Sequence, residues 1–116
     1  MNIALIQTNP LLGDFAGNVQ SITSNLIRAH KAQCSLAVFP ELALCGYPPQ
    51  DLLERSSFVE AHERALNDLR EFTKKIKELT CVVGGLGRAS GPGKALFNTA
   101  FVLQDGAIIA HAHKRL

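Results

Sequence analysis

The sequence predicts a layered α/β domain, and three observations carry the prediction: short apolar runs halted by turn residues, two long apolar stripes at helical spacing, and an Asp-Gly pair between two strand-forming runs. In chain order they read β-α-β-α-β-β-β.

The opening run Asn2-Ile3-Ala4-Leu5-Ile6-Gln7-Thr8 closes on Asn9-Pro10, the pattern of a buried strand meeting a turn, and is expected inside a sheet. After Gly13-Asp14, the residues Val19, Ile22, Leu26 and Ala29 recur at helical spacing, which puts them on one stripe of an amphipathic helix. Leu36-Ala37-Val38-Phe39 forms the next strand. Pro40, with no N–H for a ladder, halts it, so Glu41 falls just past the strand's C-terminal end. Gly46-Tyr47-Pro48-Pro49 is a stiff loop, because each proline fixes its own φ and biases the residue before it toward extended backbone. Ser56 or Ser57, with Glu60 behind, is the expected N-cap of a long second helix with the stripe Val59, Leu66, Leu69, Phe72, Ile76 and Leu79. Lys74, Lys75 and Lys77 suit the negative end of its dipole. Cys81-Val82-Val83-Gly84-Gly85 is a short buried strand, and Ser90-Gly91-Pro92-Gly93 a mobile loop. Strands over 97–103 and 107–113 then flank Gln104-Asp105-Gly106, where Asp-Gly supplies the positive φ values of a tight hairpin.

Composition narrows the function. With 47% hydrophobic and 19% charged residues and a mean hydropathy of +0.09, the 116 residues demand a packed core and fit one domain. The net charge of +2 is spread over mixed-sign stretches such as 60–78, the mark of a solvated helix face, and the aromatics are not interleaved with Lys or Arg. Nucleic acid is therefore not an expected partner. No apolar run reaches transmembrane length and the first residues lack the parts of a signal peptide, so a cytoplasmic location with no membrane partner is expected. Cys34, Cys45 and Cys81, odd in number and widely spaced, read as free thiols.

Glu41 is the strongest candidate for chemistry. It sits at the rim where open α/β sheets bind ligands, and desolvation there would raise its pKa toward the range of a general base; the alternative is a capping or surface glutamate. Lys114, beside His111, His113 and Arg115 at the end of the hairpin, is either a solvated strand-end lysine or, if strand ends converge, a fixed charge that shares a pocket with Glu41 and meets a developing oxyanion. Cys45 reads as a packed thiol, because nothing around it activates a thiolate, and Cys34 and Cys81 read alike.

Three rival motifs fail. Gly85-Leu86-Gly87 lacks a correctly spaced third glycine and is followed by Pro92 where a helix should start; Gly93-Lys94 lacks the first glycine and the Ser or Thr of a P-loop. His111 and His113 share a strand face but have no third ligand spaced to join them, so no metal site is expected.

Linked segments resemble one known family. Phe39-Pro40-Glu41-Leu42-Ala43-Leu44-Cys45-Gly46-Tyr47-Pro48, Phe97-Asn98-Thr99-Ala100, Asp105-Gly106 and His113-Lys114-Arg115-Leu116 occur in the order and approximate spacing of the nitrilase, or carbon-nitrogen hydrolase, superfamily. The similarity begins with Ile3-Ala4-Leu5-Ile6-Gln7 and Gly13-Asp14-Phe15. Within it, Gly46-Tyr47-Pro48-Pro49-Gln50-Asp51-Leu52-Leu53 resembles the Gly-Tyr-Pro-Pro-Glu-Asp-Leu-Leu stretch of the glutamine-dependent NAD synthetases, with Gln50 replacing the Glu.

The resemblance implies an α-β-β-α sandwich of which residues 1–116 are the N-terminal portion, and a Glu-Lys-Cys catalytic set. By motif position Glu41 matches the general base and Lys114 the lysine that stabilises the tetrahedral intermediate, while the cysteine nucleophile lies beyond the chain. Tyr47, by the same resemblance, either lines the amide pocket or anchors the loop. The implied activity is glutamine hydrolysis that feeds ammonia to the amidation of deamido-NAD at a separate domain using ATP and magnesium. A homo-oligomer is implied as well. The sequence ends on a strand exit with no closing helix, as a chain cut short would, and without the implied nucleophile the piece alone is expected to be inactive. Two alternatives stay open: a stand-alone amidase of the superfamily, and an inert binding or assembly module.

Overall fold

The computed structural model describes residues 1–48, 50–53, 55–88 and 96–114. Five strands, β1 (Ile3–Leu5), β2 (Leu36–Val38), β3 (Thr80–Arg88), β4 (Leu96–Gln104) and β5 (Ala107–Lys114), form one sheet in the order β1-β2-β3-β4-β5. The first three are mutually parallel and the last three antiparallel. That division follows from the connections. Parallel neighbours need a crossover, supplied by α1 (Phe15–Lys31) and then by α2 (Gln50–Leu53) and α3 (Ser56–Phe72). The β4–β5 turn needs only Asp105 and Gly106, both at positive φ (47° and 80°).

The helix over 15–31 carries the expected stripe and is capped by Asp14, whose carboxylate accepts the Gly17 N–H at 3.1 Å. The second helix departs from expectation at both ends. Arg55, not Ser56 or Ser57, holds its N-cap position and makes no side-chain cap bond. The Arg55 N–H bonds back to the Leu52 carbonyl at 3.1 Å, so α2 delivers the chain early and both serines already lie in the first turn. At the other end the helix tightens into a 3-10 turn over Thr73–Ile76. The Thr73 hydroxyl donates to the Arg70 carbonyl at 2.6 Å and accepts the Gly106 N–H at 2.9 Å, while Arg70 Nη1 donates to the Gly106 carbonyl at 2.6 Å. These bonds clamp the hairpin tip to the helix end.

The main core lies between α1, α3 and one face of the sheet: Ile22, Leu26, Leu66 and Leu69 from the helices meet Ala37, Cys81, Val83, Phe101 and Leu103 from the strands. β3 runs longer than the five residues expected because β4 pairs along it from Cys81↔Leu103 to Arg88↔Leu96. β1 is a correction. It was expected inside a sheet, but it stands at the edge of the described sheet with Ile3 51% and Leu5 79% exposed. Alternation puts those two side chains on the face away from the helices, and an apolar run cannot say which of its faces is covered. The expected loop over 90–93, together with Pro49, Arg115 and Leu116, lies outside the described residues.

One glycine decides how the chain crosses that open face. A Cβ on Gly84 would stand 2.5 Å from the Leu42 nitrogen, 2.8 Å from the Pro40 oxygen and 2.9 Å from the Glu41 Cα, all backbone atoms that cannot swing aside. Gly84→Ala is therefore expected to destabilise the protein by about 1–3 kcal/mol, read as a lower urea midpoint, because the residue 40–42 segment must lift off β3.

Candidate active site

Glu41 is positioned by a tight turn rather than by a regular element. Pro40 ends β2, Leu42 adopts the left-handed region (φ 52°) and Gly46 follows at φ 76°. A leucine there costs about 1 kcal/mol or more in backbone strain, and burial against Cys45, Phe58 and Leu86 offsets it. The turn is tied down from several sides. The Leu44 N–H donates to the Gly84 carbonyl at 3.1 Å, the Gly13 N–H to the Cys45 carbonyl at 3.0 Å, and Asn18 Nδ2 to the Leu44 carbonyl at 3.1 Å. Asn18 is itself held by both backbone groups of Leu11, at 3.0 and 2.9 Å.

Lys114 closes β5 and reaches the same place, 73 residues on: its Nζ donates to Glu41 Oε1 at 3.0 Å. Tyr47 donates its hydroxyl to the other oxygen, Oε2, at 3.1 Å. Both carboxylate oxygens thus have a donor. The group opens on a cleft of ≈ 340 Å³ floored by Val38, Val82, Ala100 and Ala112, with Glu41, Asn98 and Lys114 among its lining residues. The cleft lies on the sheet face away from the helices.

Electrostatics correct one expectation. Glu41 was expected to have its pKa raised by desolvation, but its carboxyl is held below the ordinary value, first by the Lys114 hydrogen bond, then by the Tyr47 hydroxyl and the Lys114 charge. The physical reason is exposure: the Glu41 and Lys114 side chains are 49% and 63% exposed, so desolvation is outweighed by the ion pair. The same contact raises the pKa of Lys114, and the hydrogen bond to Glu41 raises that of the Tyr47 phenol. Tyr47 is 69% exposed, and in this structure its hydroxyl is a hydrogen-bond partner of Glu41.

Asn98, part of the Phe97-Asn98-Thr99-Ala100 motif, joins the expected site residues. It is buried, pairs in register with Lys114, lines the same cleft as Glu41 and adds a small lowering of the Glu41 pKa. A buried amide in a largely apolar strand that also holds Thr99 and Gln104 was the available signal. The thiols behave as packed groups: burial pushes Cys45 and Cys81 up to about 12, and Cys45 Sγ donates to the Gly46 carbonyl at 3.2 Å. The His111 and His113 rings lie 4.9 Å apart, with His113 Nδ1 2.7 Å from Thr99 Oγ1. Among the described residues no group of three or more His, Cys, Asp or Glu is placed to hold a metal ion, and no helix is long and apolar enough to cross a membrane.

One buried histidine on α3 went unremarked in the sequence. His62 is 1% exposed, and its Nε2 accepts the Leu86 N–H at 2.9 Å. Burial lowers its pKa from 6.5 to about 4, so the folded ring stays neutral where the unfolded chain already binds a proton. Stability from this group is full above the unfolded value and falls as pH drops through that window, by on the order of 3 kcal/mol in all. Urea midpoints taken between neutral pH and the acid end of the window should therefore fall less in His62→Gln than in the wild type.

Residues 2–116 match the carbon-nitrogen hydrolase family. The chain is 40% identical over 118 residues to the glutamine-dependent NAD(+) synthetase of Synechocystis, covering 98% of this chain and 21% of that protein. It superposes on the glutamine-dependent NAD+ synthetase of Acinetobacter baumannii, solved with ADP, with a TM-score of 0.84 at 29% identity, over 98% of this chain and 20% of that one. It also superposes on an amidase of the nitrilase superfamily from Nesterenkonia AN1, with a TM-score of 0.81 at 27% identity, over 98% and 42% of the two chains. Structures of two mutants of that amidase show the acetamide moiety of fluoroacetamide added covalently at the active-site cysteine. The chain thus spans about a fifth of the length of the curated relatives it matches.

Proposed function

The chain belongs to the carbon-nitrogen hydrolase family, and from that premise we propose that it forms the N-terminal portion of a glutaminase domain, which releases ammonia from glutamine for ATP-dependent amidation of deamido-NAD to NAD. The observation that carries the proposal is the Glu41–Lys114 pair, drawn from distant parts of the chain to one cleft mouth. The similarity to the synthetases supports glutamine as the amide, and the covalent adduct in the related amidase supports a cysteine nucleophile. That cysteine, and the domain that handles deamido-NAD, ATP and magnesium, lie beyond residue 116 in this proposal. Cytoplasmic location and self-association belong to it too.

Glu41, ionised in its pair with Lys114, takes the thiol proton as the sulfur attacks the side-chain amide carbon. Lys114 stabilises the oxygen that gains charge. As the lysine turns to that oxygen, Glu41 loses the chief cause of its low pKa, so its basicity rises when it must hold the proton. Glu41 then passes this proton to the departing nitrogen, which leaves as ammonia, and a water deprotonated by Glu41 releases glutamate from the thioester. Tyr47, on the far carboxylate oxygen, keeps Glu41 in place at the cleft where the amide is bound.

The test is nitrogen-source dependence in the full-length protein given deamido-NAD, ATP and magnesium. NAD formation from glutamine and from ammonium supports the proposal. Glutamine hydrolysis with no ATP-dependent product would point to a stand-alone amidase, and absence of hydrolysis to an inert binding module.

A further inference from the structure

We propose that His62, which lies outside the cleft, is a positioning residue for Glu41: its imidazole takes the place of a missing neighbour strand along β3 and so holds the turn that carries the carboxylate. The inference rests on the site proposed above. β2 ends at Val38, yet β3 continues to Arg88. Along the edge left bare, the Val82 carbonyl accepts the Phe39 N–H at 2.9 Å, the Gly84 carbonyl accepts the Leu44 N–H at 3.1 Å, and the Leu86 N–H donates to His62 Nε2 at 2.9 Å. The first partner is the chain just past β2, the second is the Glu41 turn, and the third is a side chain reaching over from α3. Without an acceptor, the Leu86 N–H would be a buried donor left unmade.

The ring has a built seat. Phe15 packs edge-on against it with centroids 6.1 Å apart, and Gly85 leaves it room, since a Cβ there would lie 2.7 Å from Nε2. Leu86, so held, is buried together with Leu42 and Cys45, and Leu42 is the strained residue next to Glu41. The contact path thus runs from imidazole to Leu86 to the turn. The bond uses the Nε2 lone pair, so the ring is neutral with its proton on Nδ1, which faces the Glu63 carboxylate at 3.9 Å.

The experiment measures glutamine hydrolysis against pH in the full-length protein for wild type, His62→Leu, His62→Gln and Glu41→Gln. Loss of the acceptor in His62→Leu should lower kcat about tenfold or more with KM nearly unchanged. Its acid limb should move to higher pH, because a loosened turn lets Glu41 part from Lys114. A glutamine offers an acceptor of similar reach, so His62→Gln should restore the wild-type limb and most of the rate. A leucine variant that loses rate with an unmoved acid limb would make His62 merely structural and overturn the inference, as would one within about twofold of wild type. If the leucine variant does not fold, the glutamine variant decides: near wild-type rate with slow exchange of the Leu86 amide supports the proposal, and a loss of about tenfold overturns it. Should Glu41→Gln retain hydrolysis, the site itself would be misassigned, a failure separate from that of His62.

Discussion

Replacing Glu41 with glutamine is expected to lower glutamine-dependent turnover of the full-length protein by about 10²- to 10⁴-fold, while ammonia-dependent synthesis stays within about twofold of wild type. The change keeps the shape of the side chain and an oxygen for the Tyr47 hydroxyl, which now sits 3.1 Å from Oε2, but removes the group proposed to take the thiol proton. It also leaves Lys114 without its anion. That costs little stability, because both side chains are about half exposed or more and solvent screens their attraction. Thermal midpoints of the two proteins should therefore nearly coincide. Parallel loss of both nitrogen sources would mean that the substitution acts through the fold and not through proton transfer.

Replacing Lys114 with methionine should act on the same step through charge. Loss of the proposed oxyanion partner is expected to lower glutamine turnover by about 10²- to 10³-fold, a magnitude typical for one electrostatic donor. The pH profile adds a signature. Lys114 is the leading cause of the low Glu41 pKa, so without it the carboxyl returns toward its ordinary value of 4.5. The sign follows: a carboxylate with a depressed pKa keeps its active, ionised form to lower pH, so the acid limb of kcat/KM should move upward in the variant. Lys114→Arg keeps the charge but not the compact ammonium geometry and should restore the acid limb more fully than the rate. An acid limb that stays put in Lys114→Met would show that the pair seen at 3.0 Å does not set the ionisation of Glu41 during catalysis.

Much of this fold was legible because its signals are local. The stripe through Ile22, Leu26 and Ala29, the stop at Pro40 and the positive φ demanded at Asp105-Gly106 each follow from residues close together in the chain. Glu41 and Lys114 were legible too, the first as a carboxylate past a strand end and both as parts of a family resemblance. Asn98 and His62 were not singled out, because a polar residue in an apolar pattern does not announce its partner. The environment of Glu41 was misjudged for the same reason, since a strand's end reveals neither solvent exposure nor which cation arrives.

The sequence by itself determined the order of the elements, the face each helix buries and the place where the hairpin turns. Only the tertiary structure decided that Lys114 meets Glu41. Counted back from the turn, where Gln104 pairs with Ala107, a regular hairpin would set Lys114 opposite Phe97 and aim it at the helix-covered face. Instead the register steps from Leu103↔Ile108 to Val102↔Ala110, a bulge that passes over Ile109 and sets Lys114 opposite Asn98. Because strand side chains alternate in direction, one extra residue moves the lysine from one face of the sheet to the other. No local pattern in β5 marks that residue, since Ile108 and Ile109 are alike in kind. The choice belongs to the hairpin as it is held against the rest of the sheet and clamped at its tip by Arg70 and Thr73.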